Sequence, residues 1–208
     1  MLRSRNAYAF RYGVAEGRWE DHGSVVPFDP KLHVGGLRRL EPGWYRGRAF
    51  VHWTMALEER ATGWLDELAH ARIREELCHA LSRYDLVCPA YCLMPDHAHF
   101  LWVGCLDGSD QRGAVKIFRE GWNVDLRRGI RALQKQAHDH VLREPERERG
   151  AFAAVASYVF ENPVRKVLAE RWQQYPFLGA VVPGYPRFDP RDDDFWERFW
   201  RIYAKLSQ

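Results

Sequence analysis

Residues 86–104 read LVCPAYCLMPDHAHFLWVG, two apolar runs on either side of the dipeptide Pro95-Asp96. The runs Leu86–Met94 and His97–Gly104 are short, continuous and rich in residues that favour β-structure, which predicts two buried strands. Proline followed by aspartate is typical of a tight turn. The segment is therefore predicted to fold as a β-hairpin.

The flanking patterns extend this hairpin into a domain. Upstream, Arg48–Leu57 predicts a strand and Thr62–Arg83 an amphipathic helix. Downstream, Gly113–Gly129 alternates apolar and basic residues in helical phase, and Ile130–Leu142 predicts a further strand. The order strand–helix–strand–strand–helix–strand predicts an α+β, ferredoxin-like split βαβ fold with a central antiparallel sheet and helices on one face.

Two more helices are predicted beyond these elements. Gly150–Asn162 is Ala-rich and is followed by Pro163, which predicts that the helix stops there. Asp192–Leu206 carries so many aromatic residues that we expect this helix to dock on the domain.

The chain is accordingly divided into three parts. Residues 1–43, rich in Gly, Arg and Pro, are predicted to be an N-terminal extension, residues 44–180 the folded domain, and residues 181–208 a C-terminal extension with the aromatic helix.

Composition excludes several classes of protein. With 9 Trp, 9 Tyr and 11 Phe in 208 residues, the chain is not of the disordered type. No apolar run of about 18 residues offers a membrane span, and the first ten residues do not resemble a signal peptide. The net charge of +3 permits nucleic-acid binding without requiring it. We expect a cytoplasmic protein, and the four cysteines, which form no CxxC pair, to be reduced thiols.

The strongest chemical signal is the pair His97 and His99. Side chains two residues apart on a strand point to the same face, so the two imidazoles can share one metal ion. Two surface histidines at a hairpin remain the plainer interpretation.

A second signal lies about sixty residues downstream. Tyr158 and Asn162 are four residues apart on a predicted helix and therefore share a face. Together they offer a nucleophile and an oxygen-bearing ligand. Each also has a structural interpretation, since a helical tyrosine is usually core and an asparagine before proline usually ends a helix.

Four blocks in order resemble the REP-associated tyrosine transposases of the HUH endonuclease superfamily. The run LMPDHAHFL at 93–101 resembles that family's MPxHxHxL signature, and YVFENPVR at 158–165 is similar to its YIxxNPVR block. DHVLR at 139–143 resembles the family's DHVLR strand, and YPF at 175–177 resembles the family's YPW or YPY ending. The resemblance covers roughly Trp44 to Leu178.

The resemblance implies a function and assigns roles. His97, His99 and Asn162 would hold a divalent ion, Mg²⁺ or Mn²⁺, although imidazole also suits zinc. Tyr158 would attack the scissile phosphate and form a 5′-phosphotyrosine. The implied substrate is single-stranded or hairpin DNA, handled near the nucleoid by a monomer or a homodimer, with no membrane involved.

Basic residues flank the proposed site, as binding to the phosphates of a single strand requires. The candidates for DNA contact are Arg127, Arg128, Arg131, Lys135, Arg165 and Lys166. His138 and His140 form a second polar cluster. An edge-strand position or a DNA contact is a more modest interpretation of this cluster than metal binding.

Two functions of other kinds stay open. One is a domesticated, catalytically silent protein that binds DNA hairpins. The other is a metal-dependent hydrolase that uses the histidines without the tyrosine.

Overall fold

The computed structural model of the chain describes residues 40–127, 129, 131–143 and 150–208. Most of the predicted N-terminal extension (1–43) and Arg128 therefore lie outside the described residues. Within them the chain forms five strands and four α-helices: β1 (Phe50–Ala56), α1 (Glu67–Arg83), β2 (Leu86–Met94), β3 (His97–Gly104), α2 (Gln111–Arg127), β4 (His138–Val141), α3 (Ala151–Arg165), β5 (Leu178–Val181) and α4 (Phe195–Leu206).

The strands form one open antiparallel sheet in the order β4-β1-β3-β2-β5. Its first four strands have the ferredoxin-like arrangement, so the predicted α+β class is confirmed. The predicted hairpin is confirmed with the same strand bounds, and Met94 pairs with His97 across the turn.

The sheet is covered by helices on both of its faces. Val51, Trp53 and Met55 of β1 lie in one core with residues of α1 and α2. Phe50 of β1 and Leu101 of β3 lie in a second core with residues of α3 and α4. The prediction that the helices lie on one face holds for α1 and α2, which connect strands of the ferredoxin-like unit. The helices α3 and α4 cover the opposite face. Both faces need a cover because β2 and β3 are buried at every position.

Three local predictions differ from the structure. Strand β4 is only four residues long, where the sequence pattern predicted one spanning 130–142. Strand β5 was not predicted, because four residues are too few to show a pattern and pairing with β2 stabilises it. The helix predicted to stop at Pro163 continues to Arg165, with Pro163 inside its last turn.

The C-terminal helix α4 packs at one end of its face of the sheet. Phe199 is 1% exposed, and the Tyr203 hydroxyl donates a 2.9 Å hydrogen bond to the carbonyl of Gly104, the last residue of β3. His97 begins the same strand, so α4 leaves the His97 end of the face to α3. Among the described residues, no helix combines the length and the apolar character needed to cross a bilayer.

Candidate active site

His97 and His99 lie side by side on the face of β3 that α3 covers. Their ring centroids are 4.8 Å apart and the rings are nearly perpendicular. The two Nε2 atoms are 3.1 Å apart, and the residues are 8% and 4% exposed. The strand periodicity that placed both imidazoles on one face thus brings their outer nitrogens to one point.

The turn that begins β3 orients the first of these rings. Asp96 Oδ1 lies 2.5 Å from His97 Nδ1, and Arg60 Nε lies 3.3 Å from Asp96 Oδ2. A carboxylate on Nδ1 holds the proton there and leaves the Nε2 lone pair directed outward. Asp96 was predicted only as a turn residue, and Arg60 was not predicted to take part in the site. The adjacency of Asp96 to His97 was the available signal.

The second ring is oriented from the neighbouring strand. Thr54 of β1 is paired with His99, and His99 Nδ1 lies 3.1 Å from both Thr54 Oγ1 and His52 Nε2. The His52 and His99 rings stack with their centroids 5.2 Å apart. Neither His52 nor Thr54 was assigned a role from the sequence, because only the register of β1 on β3 reveals these contacts.

Burial keeps these imidazoles neutral. It lowers the pKa of His52 to about 3, with a smaller contribution from His140. The pKa of His99 is held well below its usual value by burial first, and by neighbouring histidines and arginines second. Burial also lowers the pKa of His97, although Asp96 opposes the effect. Neutral imidazole is the form that binds metal.

Tyr158 on α3 lies over this histidine cluster. Its ring centroid is 5.4 Å from that of His99 and 5.7 Å from that of His52. The Arg165 guanidinium lies 4.8 Å from the centre of the Tyr158 ring. Burial raises the pKa of the phenol, while Arg165 and a hydrogen bond from Asn162 act in the opposite direction. Tyrosine and histidines come together within a single chain.

Asn162 is one helical turn beyond Tyr158 and is 5% exposed. Its Nδ2 donates a 2.8 Å hydrogen bond to the Tyr158 carbonyl, and its side chain reaches the phenol. These contacts tie Asn162 to Tyr158, and its predicted role as a metal ligand stays a prediction. The described part of the chain holds no cluster of three His, Cys, Asp or Glu residues suited to a metal.

The donor geometry of the histidine pair fits a divalent ion. Two neighbouring ligands of an octahedral ion at Mg²⁺-like distances stand about 3.0 Å apart, close to the 3.1 Å between the Nε2 atoms. In both rings the other nitrogen, Nδ1, has a hydrogen-bond partner, which is how histidine ligands are usually held. Nitrogen donors do not choose between Mn²⁺ and Zn²⁺.

Five of the six predicted DNA-contact residues are described, and they lie at the same end of the sheet. Arg165 and Lys166, both exposed, end α3. The segment containing Arg131 and Lys135 runs beside the end of β1, where Gln134 N donates to Ala56 O. Ala56 is paired with His97. Arg131 donates to the Thr62 and Gly129 carbonyls, and Arg127 ends α2.

The second histidine cluster lies on the same face as the first. His140 is paired with His52 and His138 with Thr54, across β1 and β4. His138 is exposed and His140 half-buried. This edge-strand position is one of the two modest interpretations that the sequence left open.

No protein-family profile matches the sequence, and neither does any curated protein. A solved structure of a REP-associated tyrosine transposase bound to a REP hairpin does resemble the fold, with a TM-score of 0.57 and 16% sequence identity. The match covers 69% of this chain and 81% of the transposase. At this level of identity, the likeness establishes a shared fold.

Proposed function

We propose that this protein is a single-stranded DNA endonuclease and transposase that cuts and rejoins DNA at hairpin-forming repeats. The observation that carries the proposal is the position of the Tyr158 ring, 5.4 Å from the His99 ring of the same chain. A nucleophile beside two converging imidazoles, with cations around both, suits the cleavage of a phosphodiester. The likeness in fold to a hairpin-bound transposase supports the choice of DNA as substrate.

Tyr158 would act as the nucleophile. Its oxygen would form a bond to phosphorus while the bond from phosphorus to the 3′ oxygen breaks, which yields a 5′-phosphotyrosine and a free 3′-hydroxyl. The phenol loses a proton in this step and the departing oxygen gains one. Because the bond energy is kept in the phosphotyrosine, a 3′-hydroxyl can later reverse the reaction and join strands.

His97 and His99 would hold the divalent ion, Mg²⁺ or Mn²⁺, with Asn162 as the third ligand. When bound, the ion would neutralise charge on the phosphate and stabilise the transition state. The contribution of the chain itself is position: α3 holds Tyr158, and Asp96, His52 and Thr54 hold the rings. Such pre-alignment is worth several orders of magnitude in rate.

The phenol keeps its proton at neutral pH, because the ordinary pKa of tyrosine is about 10 and burial raises it further. Arg165 lies against the same ring and favours the negative charge that develops on the oxygen as it attacks. Arg165 therefore has two tasks in the proposal, to attract the phosphate and to ease the loss of the proton from Tyr158.

Exposed cations around the site would receive the phosphates of the strand. The positive charges of Arg60 and Lys166 lower the pKa of His97, and that of Arg165 lowers the pKa of His99. Arg60 follows β1 in the chain, whereas Arg165 and Lys166 lie at the end of α3, so the site has cations on two sides. We expect these three to contact DNA closest to the cut, with Arg127, Arg131 and Lys135 farther along the strand.

One experiment separates the proposal from its two alternatives. The full-length protein is incubated with a fluorescein-labelled DNA hairpin carrying single-stranded flanks, in Mg²⁺ or Mn²⁺, and run on a denaturing gel. A covalent adduct that Tyr158→Phe abolishes supports the proposal. Binding without cleavage would instead indicate a silent hairpin-binding protein, and cleavage that survives in Tyr158→Phe a metal-dependent hydrolase.

A matched control guards against general effects of removing a phenol. Tyr185→Phe alters a half-exposed tyrosine beyond β5 and should leave the adduct unchanged. Loss of the adduct in both variants would contradict a specific role for Tyr158.

A further inference from the structure

The end of α3 presents two apolar side chains to solvent beside the site. Val167 is 91% exposed and Leu168 44% exposed, and Val167 is the most exposed large apolar residue in the described part of the chain. They directly follow Arg165, whose guanidinium lies 4.8 Å from the centre of the Tyr158 ring, and the exposed Lys166. We call residues 167–168 the apolar tip.

The backbone of the tip is held in an unfavourable conformation. Val167 has φ of +58°, in the left-handed region that a β-branched residue rarely adopts. Val167 N donates to Val164 O (2.9 Å) and Leu168 N donates to Pro163 O (2.8 Å). This is the Schellman pattern, whose left-handed position is usually glycine. A valine here costs stability and points an apolar side chain into water.

A left-handed backbone conformation also occurs on the opposite side of the site. Arg60, which pairs with Asp96, has φ of +56°. Four non-glycine residues in the described ranges have positive φ. Arg60 pairs with Asp96 in the turn before His97, Glu59 precedes Arg60 in the chain, and Val167 lies two residues beyond Arg165, which contacts the Tyr158 ring. Strained backbone tends to persist where a binding or reacting group must be presented.

We infer that the apolar tip packs against a base of the DNA strand next to the phosphate that Tyr158 attacks. The inference rests on the proposed function and names a contact for it. A strand whose phosphates are held by Arg165 and Lys166 carries its bases a few ångströms from those cations, within reach of the next two residues. Aliphatic side chains are known to wedge against bases in this way, and the bases present an apolar face.

The charges favour DNA over a second copy of the chain as the occupant. The tip is continuous with two exposed cations, and the guanidinium of Arg60 lies at the other side of the site. A phosphate backbone complements this arrangement. A second copy would bring the same positive charges to the same place.

The test compares Val167→Asn with Val124→Asn. Asparagine tolerates the left-handed region, so Val167→Asn removes the apolar contact without adding strain, and its melting temperature should equal or exceed that of the wild type. Val124 is 56% exposed on α2, which packs on the other face of the sheet, and serves as the matched control. Binding is measured by anisotropy with a fluorescein-labelled hairpin with single-stranded flanks, in the Tyr158→Phe background.

We expect Val167→Asn to weaken binding about tenfold, as the loss of one buried valine contact should, and Val124→Asn to have no effect. The cut position is first mapped with the wild-type protein. An abasic nucleotide beside that position should then weaken binding to the wild type but not weaken binding to Val167→Asn further. Such non-additivity identifies the base as the partner of the tip.

The outcomes distinguish failure of the inference from failure of the proposed function. If the wild type forms no covalent adduct, the proposed function fails and the inference fails with it. If the adduct forms but Val167→Asn binds DNA as the wild type does, only the inference is overturned. A change in sedimentation coefficient with unchanged DNA affinity would assign the tip to contact between copies and would also overturn it.

Discussion

His52 Nε2 lies 3.1 Å from His99 Nδ1, so a histidine on β1 contacts the inner nitrogen of a candidate metal ligand on β3. For His99 to offer its Nε2 to a metal, Nδ1 must carry the proton, and His52 is then the acceptor together with Thr54. His52 is buried, at 5% exposed, and its Nε2 faces His99. In the proposed site, we expect His52 to be a positioning residue for the pair of candidate ligands.

Replacing His52 by Phe should weaken Mn²⁺ binding by roughly 10- to 100-fold, the range seen when the partner of a histidine ligand is removed. Phenylalanine fills the space but cannot accept the proton of His99. Calorimetric titration of the folded protein with Mn²⁺ measures the effect. His52→Gln, which still offers an acceptor, should recover part of the affinity, and exposed His79→Phe should change nothing. Equal affinities for wild type and His52→Phe would contradict the role.

Acid should destabilise the protein through the same residue. The pKa of His52 is about 3 in the folded chain, because of burial and then His140, against about 6.5 in an unfolded one. Between these values the unfolded chain takes up a proton that the folded chain refuses. Stability is therefore complete above about pH 6.5 and falls as the pH decreases towards 3.

For His52 alone, the free energy of unfolding should fall by about 2 kcal/mol between pH 7 and pH 5. Urea unfolding of wild type and His52→Gln at the two pH values isolates this part, since His70, whose pKa burial also lowers, is present in both. The wild type should lose about 2 kcal/mol more than the variant. Parallel losses would contradict the assignment.

The fold could be predicted from the sequence to the extent that its patterns are local. The hairpin of 86–104 was predicted with its bounds because apolar runs and a turn dipeptide adjoin one another. Strand β5 could not be predicted, because its four residues are held in an extended conformation by pairing with β2. The continuation of α3 through Pro163 depends on hydrogen bonds from residues beyond the helix, such as that of Leu168.

The candidate site divides in the same way. His97 and His99 share a face by strand periodicity, and Tyr158 and Asn162 by helical periodicity, both of which are local. The contact between Tyr158 and His99 was suggested only by the family resemblance, because no periodicity in the sequence relates α3 to β3. His52 and Arg60 were missed because their contacts depend on strand register and on a turn that no short pattern reveals.

Arg165→Gln should reduce DNA affinity and its dependence on salt. The guanidinium lies 4.8 Å from the Tyr158 ring centre and is exposed, so a phosphate brought to Tyr158 comes within its reach. Loss of one phosphate contact lowers the slope of log affinity against log salt by about 0.7 for a single strand. Binding of a labelled oligonucleotide across a salt series gives the slope. Arg198→Gln, which breaks pairs with Asp192 and Asp194, should keep it. An unchanged slope for Arg165→Gln would remove Arg165 from the DNA contacts.

Phe199→Ala should cost about 3–5 kcal/mol of unfolding free energy, the usual range for a buried phenylalanine. Phe199 is 1% exposed and stacks with Phe195, Phe152 and Tyr203. The substitution therefore opens a cavity between α4 and α3, which carries Tyr158. Trp196→Ala offers a comparison on a less buried ring of the same helix and should cost less. Urea unfolding measures both.

The same variants should keep their affinity for Mn²⁺. The reason is that α4 packs at the Gly104 end of β3, far from His97, so either variant that stays folded should bind the ion as the wild type does. A Phe199→Ala protein that remains folded but loses Mn²⁺ would show that the position of α3 over the histidines depends on α4.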